Sequence, residues 1–381
     1  MAELLYNGDF GGGPRSVRDL AFSLNRSLLD IHFYFLRDGS WLGAQLREKG
    51  FTVTELNWSG GPSISLRYRL VKALQDFAPD IIHDHSLPML TRLWLRLFFP
   101  RSVMLTSEHF PHQLSRRANH QWLAYGINWL EYAVLNKVIT HSRYVTRVVT
   151  STYCIAPSKI AMLPLGIDLH EFDPRRPEFQ LNDVLPDNEN TFLIGYVGRL
   201  SCIDKGVDDL PRIAKRLVDQ GFTGFEILIA GDGPDRKFVT DIARQLAVEN
   251  KLRFVGWQSE VPKFLSQLDL ILVPSRMETF GLTIIEALSM GVRVVAYDVG
   301  GLSETASDCN DVLLVPSRDI DKFTKAIVTC IENFGKSRSI VSRDIIAPRN
   351  NCEYFSQAFE RLLFAEINNQ KRRHLVPRSP V

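Results

Sequence analysis

The chain has 381 residues, which is long for a single hydrophobic core, so two domains are expected. Hydrophobic residues make up 45% of the chain and charged residues 23%, as in an ordinary globular protein. The formal net charge of only +2 argues against a generally basic nucleic-acid binder.

The five cysteines lie scattered along the chain, without a CxxC pair or a histidine at metal-ligand spacing. This pattern favours a reducing, cytoplasmic setting over a disulfide framework or a zinc site. Neither a signal peptide nor an apolar run of about 18 residues is visible in the sequence. We therefore expect a cytoplasmic protein without a transmembrane helix.

Short apolar runs alternate with amphipathic stretches such as Val17–Leu28 and Leu66–Phe77, and this alternation predicts parallel sheets with helices on both faces. The strands expected in the first half are Leu4–Asn7, Ile31–Leu36, Thr52–Leu56, Asp80–Asp84, Val103–Ser107, Lys137–Thr140 and Ile160–Leu163. Those expected in the second half are Phe192–Val197, Phe225–Ala230, Leu252–Val255, Leu270–Val273, Val292–Ala296 and Val312–Val315. The predicted fold class is α/β, with two doubly wound Rossmann-like domains that face each other across a cleft.

A stretch rich in proline, arginine, aspartate and asparagine at 173–190 interrupts this alternation. The expected organisation is therefore an N-terminal acceptor-binding domain, a linker, a C-terminal donor domain, a helix that crosses back to the first domain, and a tail similar to a protease-cleavage scar. Their predicted bounds are 1–175, 176–190, 191–350, 351–370 and 371–381.

The most informative motif, at 275–288, follows an expected strand and begins a helix near Gly281. A helix start offers unpaired N–H groups and the positive end of the helix dipole, which favour an anion such as a diphosphate. Glu278 precedes this helix and Glu286 lies within it, so two carboxylates could bind hydroxyl groups of an elongated ligand. Isolated glutamates are more often a cap and a solvated charge, but the apolar neighbours of Glu286 make solvation unfavourable.

The spacing Glu278-x7-Glu286, with Phe280-Gly281 between, resembles the signature of glycosyltransferase family 4, whose members are retaining enzymes of the GT-B fold. Further motifs similar to those of the family occur in the family's order. They are Gly11-Gly12-Gly13, Leu165-Gly166-Ile167-Asp168, Gly198-Arg199-Leu200, Lys205-Gly206 and Ala230-Gly231-Asp232-Gly233-Pro234. The resemblance therefore covers nearly the whole chain, although asparagine is common in the family where Leu165 stands.

The resemblance implies a nucleotide-diphosphate sugar as donor substrate, no cofactor, and a glycan or glycolipid acceptor. Arg199 and Lys205 would contact the diphosphate and neutralise charge on the leaving group. The same phosphates would be held by the backbone N–H groups of Phe280, Gly281 and Leu282. Because arginine, lysine and helix N–H groups can stabilise this charge by themselves, and no Asp-x-Asp motif is suitably placed, no metal is expected.

The remaining implied contacts concern the sugar and the nucleoside. Glu278 would bind hydroxyl groups of the transferred sugar, and Glu286 those of the ribose. The base is expected to pack near Trp257. In the N-terminal domain, Gly12 and Gly13 would approach the phosphates as the cleft closes, and His109 would touch the donor sugar.

Each of these residues also has a plainer interpretation. Arg199 and Lys205 could be surface charges, and Gly11-Gly12-Gly13 could be a simple turn before a helix that begins at Arg15. His109 could be a buried or capping histidine. Asp84 and His85 end a predicted strand and could either touch the acceptor or act structurally.

The segment from Leu87 to Thr150 is basic, with eight cations against Glu108 and Glu131. The cations are Arg92, Arg96, Arg101, Arg116, Arg117, Lys137, Arg143 and Arg147. One interpretation is a peripheral contact with the anionic inner membrane or with a phosphorylated glycolipid. The other is an ordinary helix that packs on its sheet with its arginines in solvent.

We therefore expect a retaining hexosyltransferase that uses a UDP- or GDP-linked sugar, in the biosynthesis of cell-envelope polysaccharide or lipopolysaccharide. The alternatives are a GT-B epimerase or phosphorylase, and a catalytically silent protein that binds nucleotides or glycans. A nicotinamide-dependent dehydrogenase is disfavoured because the GxGxxG turn is missing.

Overall fold

The computed structural model describes residues 1–9, 11–37, 40–59, 64–85, 87, 90–109, 126, 129–176 and 191–375. The chain divides into two compact units. The first consists of Met1–Gly166 and Cys352–Val381, and the second of Ile167–Asn351. The predicted linker lies outside the described residues from position 177 onward.

The first unit is built on an all-parallel sheet with the strand order β3-β2-β1-β4-β5-β6-β7. The strands are β1 (Ala2–Leu5), β2 (His32–Phe35), β3 (Thr52–Glu55), β4 (Ile81–His85), β5 (Val103–Glu108), β6 (Lys137–Thr140) and β7 (Ile160–Met162). The helices are α1 (Gly12–Ser23), α2 (Ser40–Glu48), α3 (Ile64–Phe77), α4 (Thr91–Phe98), α5 (Arg143–Tyr153) and, at the end of the chain, α13 (Cys352–Leu375). Helix α13 packs against α1 within this unit and buries Phe355, Phe359 and Leu363.

The second unit repeats this architecture, with the strand order β10-β9-β8-β11-β12-β13. Its strands are β8 (Phe192–Val197), β9 (Phe225–Ala230), β10 (Leu252–Gly256), β11 (Leu270–Val273), β12 (Arg293–Tyr297) and β13 (Val312–Val315). Its helices are α6 (Asp209–Asp219), α7 (Arg236–Gln245), α8 (Val261–Leu265), α9 (Leu282–Ser289), α10 (Leu302–Thr305), α11 (Ile320–Phe334) and α12 (Val341–Ile346).

The predicted fold class is thereby confirmed, and each predicted strand is present. Most strand bounds agree with the prediction within one residue, because strands covered by helices on both faces read as continuous apolar runs. Strand β1 lies two residues earlier than predicted, since Ala2 already pairs with both β2 and β4. Helix α1 begins at Gly12, well before the predicted start at Val17, because its first turn is built from glycines and a proline.

The strand order fixes where a ligand is expected in each unit. In both sheets the order reverses beside the first strand, between β1 and β4 and between β8 and β11. In doubly wound sheets the loops at the carboxyl ends of these two strands diverge and leave a crevice, which is the usual ligand site. None of the helices in the described part of the chain combines the length and apolar character needed to cross a membrane.

Candidate active site

In the second unit, two loops meet at the point where the strand order reverses. The β8 loop is residues 198–208 and the β11 loop is residues 274–281. The N–H groups of Arg276 and of the residue after it both donate to the Asp204 carbonyl, at 2.8 and 3.1 Å. The Arg276 guanidinium also donates to the Asp208 carboxylate at 2.9 Å. Backbone and side-chain bonds therefore join the two loops at the carboxyl edge of the sheet.

Three of the predicted site residues meet on these loops. The Lys205 ammonium forms an ion pair with the Glu278 carboxylate, which also accepts a hydrogen bond from the Ser275 hydroxyl at 3.1 Å. Arg199 pairs with Asp204 at 2.6 Å, and 62% of the Arg199 side chain is exposed. The two cations and the glutamate are thus held by local contacts, and the guanidinium remains accessible to a ligand.

The N-terminus of α9 lies beside these charges. Gly281 precedes the helix with a φ of 93°, and a Cβ atom there would lie 2.3 Å from a methyl carbon of Leu302, so the position requires glycine. Within the described part of the chain, the N–H groups of Phe280, Gly281 and Leu282 donate to no backbone carbonyl. The Thr305 hydroxyl donates to the Phe280 carbonyl and helps to hold this turn. Unpaired N–H groups at a helix start form a suitable cradle for an anion.

A turn after β12 packs against the β11 loop and supports the backbone at Glu278. The Gly301 N–H donates to the Glu278 carbonyl at 3.1 Å. Gly300 has a φ of 60°, and a Cβ atom there would lie 1.7 Å from the same carbonyl oxygen. The position of Glu278 therefore depends on a glycine that is distant in sequence.

Glu286 and Trp257 occupy different surroundings from the charged cluster. Glu286, inside α9, is only 4% exposed, so the interpretation as a solvated surface charge is wrong. Trp257 follows β10 and is 47% exposed. Because β10 lies two strands from β8, Trp257 is expected roughly 10 Å across the sheet from the β8 loop.

In the first unit, the predicted glycines and His109 lie close together. Gly12 and Gly13 form the first turn of α1, instead of a loop ahead of a helix that begins at Arg15. A Cβ atom on Gly13 would lie 3.9 Å from Cγ of His109, so the ring packs directly against this turn. First-turn N–H groups have no acceptor within their own helix, which leaves them available to a ligand.

His109 is the half-buried end of a chain of buried hydrogen bonds. Its Nε2 lies 2.8 Å from Nδ1 of His85, whose Nε2 lies 2.9 Å from the Glu3 carboxylate. The same carboxylate lies 3.0 Å from Nδ1 of His83, whose Nε2 lies 2.9 Å from the Ser107 hydroxyl. The register places Glu3 beside His83 on adjacent strands, and alternation turns His85 to the same face of the sheet.

The ligand atoms of Glu3, His83 and His85 lie within 4.8 Å of one another, close enough to hold a metal ion. Opposing effects act on the Glu3 carboxyl: burial favours its neutral form, while His83 and His85 favour the carboxylate and lower its pKa to about 2. The cluster therefore carries a buried, ionised carboxylate between two imidazoles.

A fourth histidine stacks on His109. The rings of His141 and His109 lie 5.0 Å apart at 28°. Nδ1 of His141 lies 2.9 Å from the Leu163 carbonyl, while its buried Nε2 has no hydrogen-bond partner among the described residues. Burial lowers the pKa of His141 to about 4, and burial together with the neighbouring histidines lowers that of His109 well below its ordinary value. Both rings are thus neutral near pH 7.

Asp84 is structural, which resolves one of the open alternatives. It faces away from its neighbours His83 and His85 and binds the Arg92 guanidinium through both oxygens, at 2.8 and 3.1 Å. Both side chains are buried. The interpretation of Arg92 as a solvent-facing cation is therefore wrong, because the sheet supplies it with a carboxylate.

Arg96 has a similar internal role. Its guanidinium donates to the carbonyls of Val134 and Ser102, both at 2.9 Å. Arg116 and Arg117 lie outside the described residues. The count of cations in the basic segment therefore overstates the charge that this surface presents to a partner.

Two family models together match most of the chain: the model described as glycosyltransferase family 4 matches residues 10–171, and the one described as glycosyl transferases group 1 matches residues 191–333. The chain belongs to glycosyltransferase family 4. This family 4 glycosyltransferase is 27% identical to an Escherichia coli enzyme over 286 residues, which cover 72% of each chain. That relative is a UDP-Gal:alpha-D-GlcNAc-diphosphoundecaprenol alpha-1,3-galactosyltransferase.

Solved structures agree on the fold of this family 4 glycosyltransferase. Anabaena HepE, crystallised with UDP, superposes with a TM-score of 0.76 at 20% identity, over 96% of this chain and 100% of that chain. WaaG, a glycosyltransferase involved in lipopolysaccharide biosynthesis, superposes with a TM-score of 0.66 at 14% identity, over 97% and 98% of the two chains. The two Rossmann-like units therefore represent the GT-B fold.

Sequence reasoning missed several residues of this family 4 glycosyltransferase that shape its candidate site. Asp204 pairs with Arg199 and the Ser275 hydroxyl donates to Glu278, but short polar residues in loops give no specific signal. Glu3 did give a signal, since a carboxylate inside a buried strand needs a partner. The alternating histidines of β4, two strand positions apart, were the partners to look for.

Proposed function

We propose that this chain is a retaining, metal-independent hexosyltransferase that uses a UDP- or GDP-linked sugar and a glycan or glycolipid acceptor. The observation that carries the proposal is the meeting of Arg199, Lys205 and Glu278 with the N-terminus of α9, where the strand order of the second sheet reverses. This arrangement combines two cations, three N–H donors and a carboxylate, which suits a diphosphate joined to a sugar.

The charges divide naturally between the two parts of such a donor. Arg199, Lys205 and the α9 N–H groups stabilise the negative charge that develops on the leaving diphosphate. When phosphate oxygens compete for the Lys205 ammonium, the Glu278 carboxylate becomes available to accept hydrogen bonds from sugar hydroxyls. Its proposed role is therefore to bind and orient the sugar.

Retention is proposed to follow from a displacement on one face of the sugar. The bond from the anomeric carbon to the phosphate oxygen breaks, and the acceptor oxygen forms its bond on the same face. The acceptor proton passes to a phosphate oxygen of the leaving diphosphate. Glu278 is held by Lys205 and Ser275, which suits a hydrogen-bond acceptor better than a covalent nucleophile.

The proposed remaining ligand contacts follow the chemistry of each position. Glu286 binds the ribose hydroxyls from inside α9, and the base packs near the half-exposed Trp257. The first turn of α1, with Gly12 and Gly13, and the adjacent His109 are proposed to contact the donor from the first unit.

The proposed biological role is the assembly of a cell-envelope glycan. The Escherichia coli relative is described as acting on a sugar-diphosphoundecaprenol, and WaaG as acting in lipopolysaccharide biosynthesis. A lipid-linked acceptor would bring a cytoplasmic enzyme to the inner membrane. Leu97 and Phe98, exposed at the end of α4, and the nearby exposed Arg101 would suit such a peripheral contact.

The direct test is a screen of UDP- and GDP-sugars for hydrolysis and for transfer to acceptor glycans in the presence of EDTA. We expect activity with one nucleotide class, and NMR should show a product with the donor's anomeric configuration. Glu278→Ala should reduce kcat roughly 100-fold. Glu226→Ala, which removes a carboxylate paired with Arg253 away from the site, is the matched control and should retain activity.

Three outcomes would contradict the proposal. Activity that disappears with EDTA and returns with a metal would refute metal independence, and an inverted product would refute retention. Conversion of the donor to its epimer without hydrolysis or transfer would favour the epimerase alternative.

A further inference from the structure

The first unit contains a hydrogen-bonded network in which only the last residue, His109, has a role in the proposed donor chemistry. It runs from Ser107 through His83, Glu3 and His85 to His109. His109 is half-buried. The other four residues are at most 7% exposed. A network of this kind fixes the protonation of its last member, because every nitrogen along it must be either a donor or an acceptor.

The direction of each hydrogen bond follows from the Glu3 carboxylate. An ionised carboxylate can only accept, so both imidazole nitrogens that face it carry protons. These nitrogens are Nδ1 of His83 and Nε2 of His85. A neutral His85 then has an unprotonated Nδ1, which accepts from Nε2–H of His109. His85 is only 7% exposed and shares the single Glu3 carboxylate with His83, so a second positive charge on His85 would be buried without a carboxylate of its own, and the neutral ring is favoured.

We propose that Glu3 and His85 are positioning residues that hold His109 with Nε2 protonated and Nδ1 unprotonated, so that Nδ1 accepts a hydrogen bond from a hydroxyl group of the sugar substrate. The use of that nitrogen by a sugar rests on the proposed function, whereas the tautomer follows from the network alone. His109 packs against the first turn of α1, where a substrate contact is already expected.

His141 gives independent support for a ligand rich in hydroxyl groups. Its Nδ1 lies 2.9 Å from the Leu163 carbonyl, an obligate acceptor, so Nδ1 carries the proton and Nε2 is left as an acceptor. This Nε2 is buried and has no hydrogen-bond partner among the described residues. His141 stacks on His109, so two neutral imidazoles each offer a lone pair. Lone pairs attract hydroxyl donors and repel phosphate oxygens, which assigns this region to the sugar.

A metal ion held by Glu3, His83 and His85 is the competing arrangement. It would require both nitrogens that face Glu3 to lose their protons, because a metal and a proton compete for the same lone pair. The two arrangements therefore predict opposite protonation states for these nitrogens. A metal analysis of the purified protein separates them.

The test is NMR of the full chain with ¹⁵N-labelled histidine, which distinguishes a protonated from an unprotonated ring nitrogen. The chain has nine histidines, and His109→Gln identifies the resonances of His109. We expect an unprotonated Nδ1 and a protonated Nε2 at His109 in the unliganded protein at pH 7.5. In His85→Phe, which keeps a ring but removes the acceptor, His109 should become a mixture of tautomers.

The same variant tests the use of this tautomer in catalysis. His85→Phe should reduce kcat/KM for transfer roughly 10–100-fold, as is typical when an orienting partner is lost. The affinity for the nucleotide diphosphate should change less than twofold. His32→Phe is the matched control, because His32 stacks on Phe77 at the opposite end of the strands, and it should leave both the tautomer and the activity unchanged.

The inference is overturned if His109 carries a proton on Nδ1, if its tautomer is unchanged in His85→Phe, or if a stoichiometric metal copurifies and is lost in that variant. The protein could instead show the fixed tautomer of His109 but neither bind nor hydrolyse any nucleotide sugar. That result would contradict the proposed function, while the positioning network would stand. The NMR measurement needs no substrate, so the two failures can be told apart.

Discussion

Glu108, immediately before His109, is a buried carboxyl in the interior of the first unit. Burial raises its pKa to about 7, although the Arg92 charge and the hydrogen bond from the Tyr132 hydroxyl, at 2.5 Å, both favour the carboxylate. The folded protein therefore holds a proton on Glu108 that the unfolded chain releases near pH 4.5. Stability from this group is complete below pH 4.5 and is lost as the pH rises through 7.

Glu108→Gln keeps the shape of the protonated acid and removes its titration. We expect the free energy of unfolding of the wild type to fall, relative to that of the variant, by up to about 3 kcal/mol between pH 5 and pH 8. Denaturant unfolding at several pH values measures this difference. Glu48→Gln, at an exposed position of α2, is the control and should follow the wild type. Parallel pH profiles for Glu108→Gln and the wild type would contradict the assignment.

At the residue scale, residues within recognisable loop motifs were easier to place from the sequence than the ion-pair partners of buried charged residues. Lys205 and Glu278 form an ion pair because their loops follow β8 and β11, which are neighbouring strands of one sheet. Arg92 was misjudged because its partner Asp84 becomes its neighbour only when α4 packs on the sheet. No periodicity in the sequence reports such a pairing.

At the element scale, turns behind the binding loops determine where Glu278 lies. Gly300 and Gly335 both have a positive φ, of 60° and 53°. A Cβ atom at Gly300 would lie 1.7 Å from the Glu278 carbonyl, whereas at Gly335 it meets nothing within 4 Å. The two positions therefore separate the cost of a positive φ from the cost of a steric clash.

Gly335→Ala should cost about 1–3 kcal/mol of stability, because a φ of 53° with a ψ of −132° is sparsely populated by residues with a side chain, and it should leave nucleotide-sugar affinity unchanged. Gly300→Ala should cost more than this and should also weaken donor binding, because the clash displaces the loop that carries Glu278. Thermal unfolding and a donor titration measure the two effects. Equal stability and equal donor affinity in both variants would show that the turn does not support the loop.

The elements themselves were largely predictable, and the reason is physical. Strands buried on both faces are mostly apolar, as in β11, where all four residues are apolar and buried. Helix starts were less predictable. Glycine and proline are tolerated in the first turn of a helix, but in a sequence the same residues usually indicate a loop. Helix α1 shows this effect, since its first three residues are Gly12, Gly13 and Pro14.

At the scale of the whole molecule, the order of the motifs along the chain carried more information than any single motif. Glycine turns, a basic pair and two glutamates are each common, but their succession over two doubly wound units matches one family. The identity of the sugar and of the acceptor depends on side chains that no short motif specifies. The sequence indicates that Glu3 needs a partner, but the pairing with the β4 histidines forms only when β1 inserts beside β4.

The central claim is that the β8 and β11 loops bind a nucleotide diphosphate through Arg199, Lys205 and the α9 N-terminus. Calorimetric titration with UDP and GDP, without metal, tests it most directly. We expect one nucleotide to bind, and Arg199→Ala to weaken it roughly 10–100-fold through loss of a charge-assisted bond. Lys215→Ala, which removes an exposed cation on α6, should have no effect. Binding of neither nucleotide, or equal binding by wild type and Arg199→Ala, would contradict the account.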